Sequence, residues 1–110
     1  MFRQIIRVFM VKNNTTNSFD KTQSLKEIQT IPGIGKACSL DLWNIGIKQI
    51  ADLNNKNPLQ LYNQLNKTTE KVHDICMLYV FRCAVYFATE QHHEKEKLNW
   101  WYWKNKTYNE

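Results

Sequence analysis

The stretch Ile31-Pro32-Gly33-Ile34-Gly35-Lys36, IPGIGK, decides the fold of this chain. It places two of the three glycines and one of the two prolines within four residues. Such a turn stops one helix and opens another, because proline cannot continue a helix and glycine accepts backbone angles closed to other residues. Bare glycine backbone also lets a ligand come close, and the first N–H groups of the following helix have no partner inside that helix. With the positive end of the helix dipole behind them and Lys36 beside them, those groups suit a phosphate. Two other glycine-rich phosphate loops do not fit. A dinucleotide fold needs a third glycine and a preceding strand, and a nucleoside triphosphatase needs a four-residue spacer before Gly-Lys-Ser/Thr.

Outward from the turn, the chain divides into helical segments. Ser24-Leu25-Lys26-Glu27 has capping-box spacing and predicts a first helix from Ser24 to about Thr30. A second helix begins near Gly35, carries Ser39, Leu42 and Trp43, and ends at Gly46, a natural left-handed cap. Ile47 to Leu53 predicts a further helical turn. Asn57-Pro58 caps and opens a helix through Leu65, with Leu61 and Leu65 at i, i+4 spacing. Thr68 or Thr69 then caps a longer helix to about Thr89. From Ile75 to Ala88 only Arg82 is charged, and that run is too short to span a bilayer, so it is read as the central buried helix. Glu90 to Lys97 alternates in charge, and LNWWYWKNK (98–106) follows. No alternating strand pattern is present. The expected fold is all-α: a helix-hairpin-helix of short helices packed on one long apolar helix, closed by an aromatic C-terminal segment.

A chain of 110 residues suits one domain, expected over residues 24–104, after a flexible basic leader (1–23) and before a short tail (105–110). Apolar residues at 43% and aromatics at 13% favour a packed domain over disorder. Three cysteines, an odd number without disulfide-like spacing, suit a reducing, cytoplasmic setting. The opening MFRQIIRVFMV is not read as a secretory signal, because Arg7 interrupts a short apolar run and no small-residue cleavage site follows. Net charge is +5, but unevenly spread. Arg3, Arg7, Lys12 and Lys21 against Asp20 leave +3 in residues 1–24, while residues 25–66 and 67–110 each balance to +1. The folded part is therefore nearly neutral, which limits nonspecific attraction to nucleic acid.

IPGIGK followed by a helix resembles the helix-hairpin-helix motif of DNA repair and recombination proteins. Further along, DLWNIGI, IADL, NPLQLY, HDICMLYVFRCAVYFA and the terminal WWYWK resemble the small bacterial "pathogenicity locus" helix-hairpin-helix proteins, in register over about residues 25–104. The resemblance implies a helical, cytosolic, DNA-binding protein whose hairpin backbone holds the sugar-phosphate chain without reading sequence. The implied phosphate contacts are Pro32, Gly33, Ile34, Gly35, Lys36 and Ala37, with Lys26 and Lys48 as neighbours able to add contacts. A monovalent cation held by the hairpin carbonyls is also implied, and no other cofactor. Helix-hairpin-helix glycosylases carry a catalytic lysine two residues after the second glycine. That position is Ala37 here, so no enzymatic activity is expected. The alternative, of a different class, is a protein–protein interaction module with a purely structural hairpin.

Three further groups have competing explanations. His73, Cys76 and Cys83 suggest metal ligands, but Cys83 lies seven residues beyond Cys76, roughly 10 Å along a helix axis. One zinc with bonds of about 2 Å cannot bridge that, and core cysteines are the better account. Trp100-Trp101-Tyr102-Trp103 suits either a base-stacking platform or an aromatic clasp over the central helix, and the clasp is favoured. Arg82 is expected to be a buried ion-pair partner, for Asp41 or Asp52.

Overall fold

A computed structural model describes residues 17–110, with side chains from Lys21 onward. The expected leader falls mostly on residues 1–16, which lie outside the described residues. Within them the protein is all-helical. The helices are α1 (Asn17–Ile28), α2 (Lys36–Asn44), α3 (Pro58–Thr69) and α4 (Cys76–Thr89), with short 3-10 segments at Ile50–Leu53 between α2 and α3 and at Lys95–Leu98 and Trp100–Asn105 after α4. No described helix is long and apolar enough to cross a membrane.

Helix α1 begins at Asn17, inside the expected leader, so Ser24 lies within the helix and does not cap it. No glycine or proline occurs between residue 1 and Pro32, and nothing in the sequence forbids the helix from extending backwards past Ser24. It stops where expected. The Ile31 carbonyl accepts the Ile34 N–H at 3.0 Å and Gly33 takes φ +87°. With Pro32 second and Gly33 third, Ile31–Ile34 is a type II turn. Ile28, Ile31 and Ile34 are all buried at this bend, so the turn is anchored by apolar contact on its inner side. Helix α2 ends in a Schellman motif at Gly46 (φ +96°), where Ile47 N–H reaches the Leu42 carbonyl at 2.9 Å and Gly46 N–H reaches Trp43 at 3.0 Å. Asn57 caps α3 through a 3.1 Å bond from Gln60 N–H, with Pro58 opening the helix.

The expected helix from Thr68 or Thr69 to Thr89 is interrupted. Helix α3 runs on to Thr69, whose hydroxyl bonds back to the Leu65 carbonyl at 2.8 Å and caps nothing. Glu70 then turns left-handed at φ +57°. Residues 70–75 cross to α4, held by Asn66, whose Oδ1 accepts the His73 N–H at 2.9 Å and contacts its ring Nδ1 at 2.8 Å. Asp74 is the start signal that the sequence reading overlooked: its Oδ1 accepts the Cys76 N–H at 2.8 Å.

Helix α4 is buried on two faces. Leu78, Phe81 and Val85, spaced i, i+3, i+7, join the main core with Leu42, Leu53 and Leu65. Cys83 and Tyr86 face Trp103 of the last 3-10 segment. Arg82 lies between these faces, and its partner is neither Asp41 nor Asp52. Its Nε and Nη2 donate to the two carboxylate oxygens of Glu110 at 2.7 and 3.0 Å, and Nη1 donates to the Trp103 carbonyl at 3.0 Å. Asp52 is occupied at the backbone N–H groups of Lys48 and Gln49. Residues 105–110, expected as a tail beyond the domain, therefore fold back onto it. Tyr108 packs edge-on against Tyr86 and Trp103, and Asn109 Nδ2 donates to the Asn55 and Lys56 carbonyls at 2.7 and 2.9 Å.

The side chains of Arg82 and Glu110 are only 10% and 8% exposed. Glu110→Ala leaves a guanidinium without its counter-charge and is expected to destabilise the fold by about 2–3 kcal/mol in urea unfolding. Added salt should not mask that loss, since a buried pair is poorly screened. A loss below about 0.5 kcal/mol, typical of an exposed pair, would contradict the burial.

Candidate nucleic-acid interface

The chain leaves the type II turn through Gly35, the N-cap of α2, at φ −96° and ψ −169°. No side chain caps this helix. The Gly35 carbonyl accepts the Ser39 N–H at 3.0 Å, the first bond of α2. Among the described residues nothing accepts the N–H groups of Lys36, Ala37 and Cys38. Gly33, Gly35, Lys36 and Ala37 are exposed, so the Lys36 and Ala37 donors and the Lys36 ammonium emerge on an open part of the surface, while Cys38 is half-buried.

Ser39 fixes the orientation of this first turn. Its fully buried hydroxyl donates to the Lys36 carbonyl at 2.7 Å and accepts from Gln29 Nε2 at 3.2 Å. Helix α2 is thereby tied to the exit of α1. The two glycines have different reasons to be there. Gly33 needs its positive φ, and a Cβ there would lie 3.5 Å from Trp100 Cδ1. Gly35 is extended, and a Cβ there would meet nothing within 4 Å. What Gly35 supplies is open space in front of the amides.

The six expected contact residues thus separate. Ile34 is 5% exposed and its N–H is consumed by the Ile31 carbonyl, so it belongs to the core. Pro32 is half-buried and has no N–H to give. Gly33, Gly35, Lys36 and Ala37 remain at the surface, and the Cys38 amide joins them. Cys38, third in the helix, was not among the expected contacts. Lys26 is exposed in the last turn of α1. The Lys48 ammonium sits 3.6 Å from the centre of the Trp43 ring, with Lys21 at 5.7 Å from the same ring. Nearby acids are used structurally: Glu27 accepts the Ile50 N–H at 2.8 Å, joining α1 to the first 3-10 segment.

The cysteines and aromatics take separate places. Cys83 is buried with its thiol 3.6 Å from the Lys97 carbonyl, and burial raises its pKa to about 11. Cys38 touches Met77 sulfur to sulfur at 3.6 Å, and burial, with Asp41 adding to it, raises its pKa to about 12. Among the described residues no three His, Cys, Asp or Glu side chains converge as a metal site would require. Trp103 is buried, its indole N–H donating to the Lys97 carbonyl at 2.9 Å, whereas Trp101 is 60% exposed. The aromatic segment thus clasps the core at one ring and leaves another in solvent.

The sequence profile of the Cdd1 family, described as Pathogenicity locus, matches residues 21–109. No curated protein and no solved structure matches the chain.

Gly33→Ala is expected to cost about 1–2 kcal/mol of stability, from the left-handed backbone it would force on alanine. Gly35→Ala should cost about 0.5 kcal/mol or less, measured in the same unfolding series. Alkylation near pH 8 should label Cys76 first, because thiolate reacts and burial keeps Cys38 and Cys83 protonated.

Proposed function

The chain belongs to the Pathogenicity locus family, and on that premise we propose that it is a helix-hairpin-helix protein that binds DNA non-enzymatically and without reading sequence. The observation that carries this is the uncapped start of α2. Three partnerless amides sit at the positive end of a nine-residue helix, beside the exposed Lys36. Backbone N–H groups of this kind hold a phosphate oxygen and carry no information about the base. The carbonyls of Pro32, Gly33 and Ile34 receive no bond from any described donor and suit the monovalent cation implied for such hairpins. Lys26 and Lys48 extend the contact. Ala37 stands where a glycosylase lysine would be, and a bacterial cytoplasmic setting goes with the same proposal.

A second class of function has its own support. Val72 is 83% exposed, Ile75 49% and Trp101 60%, and apolar groups in water favour a protein partner. Salt separates the two. Neutralising two or three phosphates gives a log–log salt slope of about −2 to −3, whereas an apolar interface is nearly salt-independent.

Gly35→Asp is the decisive variant. A capping carboxylate would accept the same amides that a phosphate needs, so stability should rise by a few tenths of a kcal/mol, roughly. Affinity for duplex DNA of any sequence should fall at least about tenfold. Unchanged affinity, by fluorescence anisotropy, would remove the hairpin from the interface and favour the protein partner.

A further inference from the structure

An apolar cleft of about 420 Å³ opens beside the turn and shares Gly33 and Cys38 with it. Trp100 lines it, lying against Gly33, and the side chains of Met77, Val80 and Cys38 continue the lining. Its polar groups are few. His73 commits Nδ1 to Asn66, and Asp74 commits Oδ1 to the Cys76 N–H. The Asp74 carboxylate also accepts from the Cys76 thiol, and being exposed it keeps acceptor capacity for a further donor at the edge of the cleft. Trp101 meets Trp100 edge-on at 5.7 Å and extends the aromatic surface outwards.

We propose that this cleft takes an unpaired nucleobase bearing an exocyclic amino group, from the strand whose phosphate lies on the α2 amides. The inference rests on the backbone-binding reading above and names the form of DNA it favours. Charge separates the two halves of the nucleotide. A phosphate is drawn to Lys36 and the free amides and repelled by the Asp74 carboxylate, so the anion does not enter the cleft. A base brings the opposite chemistry, with flat apolar faces for Trp100 and a positive N–H edge for Asp74. Stacking on tryptophan tolerates every base. A carboxylate accepts from the amino groups of cytosine and adenine, and thymine has none to offer. A fully paired duplex keeps its bases stacked inside, so only a strand with an end, gap or bulge can use the site.

The test compares a blunt hairpin duplex with the same duplex carrying a short adenine, cytosine or thymine tail. Adenine and cytosine tails are expected to raise affinity for the full chain about tenfold over blunt DNA, and thymine by less. Trp100→Leu should remove the gain, the blunt affinity of the same variant serving as its reference because Trp100 lies against Gly33. Asp74→Asn, which can still cap Cys76, should erase the difference between adenine and thymine. If Trp100→Leu does not fold, the methyl resonances of Met77 and Val80 in the unaltered protein serve instead. They should shift with tailed DNA and stay still with blunt DNA. Equal affinity for blunt and tailed DNA overturns the base cleft and leaves the backbone contact standing. Failure to bind either form overturns both. Methyl shifts with a leucine-rich peptide, but not with tailed DNA, overturn the proposal in favour of a protein side chain.

Discussion

A single buried cation organises this small fold. Helix α4 is apolar enough to be enclosed on two faces, yet Arg82 sits in its middle and cannot be deprotonated. An unpaired guanidinium there would cost several kcal/mol, roughly. The Glu110 carboxylate and the Trp103 carbonyl remove that cost, and they do so only if residues 100–110 return across the helix. Once they return, Trp103 covers Cys83 and Tyr86, and Trp100 arrives beneath Gly33. The charge in α4 and the shape of the hairpin are therefore linked through one aromatic segment.

The hairpin itself separates conformation from access. Pro32 and Gly33 set the turn, and Ile31 and Ile34 anchor it in the core. Ser39, bridging Gln29 and the Lys36 carbonyl, fixes the angle at which α2 departs. Nothing in these contacts consumes the first three amides of α2. A helix start is usually completed by a serine, threonine or aspartate side chain, and here a glycine occupies that position. The fold forgoes a modest local stabilisation and leaves the first amides of α2 without a partner among the described residues.

Several local signals were legible in the sequence, and the distant ones were not. The glycine at 46, the Asn57-Pro58 helix start and the helix stop at Pro32 depend on neighbours within a few residues, and each stands as expected. The helix break at residues 70–75 was missed because Thr69, before it, bonds backwards to a carbonyl, while Asp74, the true start signal, stands outside any capping box. The partner of Arg82 was misjudged because a burial argument requires a counter-charge but does not say from which part of the chain. Within the candidate interface, Ile34 and Cys38 exchanged roles for a similar reason. The resemblance implied a backbone contact at Ile34 and none at Cys38, whereas position in the turn decides which N–H is left without a partner.

The pairing of Arg82 with Glu110 joins residues 28 apart, and Asn109 closes on the Asn55 and Lys56 carbonyls across more than 50. A chain emerging from the ribosome therefore exposes α4 with its charge uncompensated until Glu110 has cleared the exit tunnel. Helices α1 to α3 can form early, but the core cannot close around α4 before that moment. Closure of the core around α4 is thus a late event, and until then its apolar face is a substrate for chaperones and proteases.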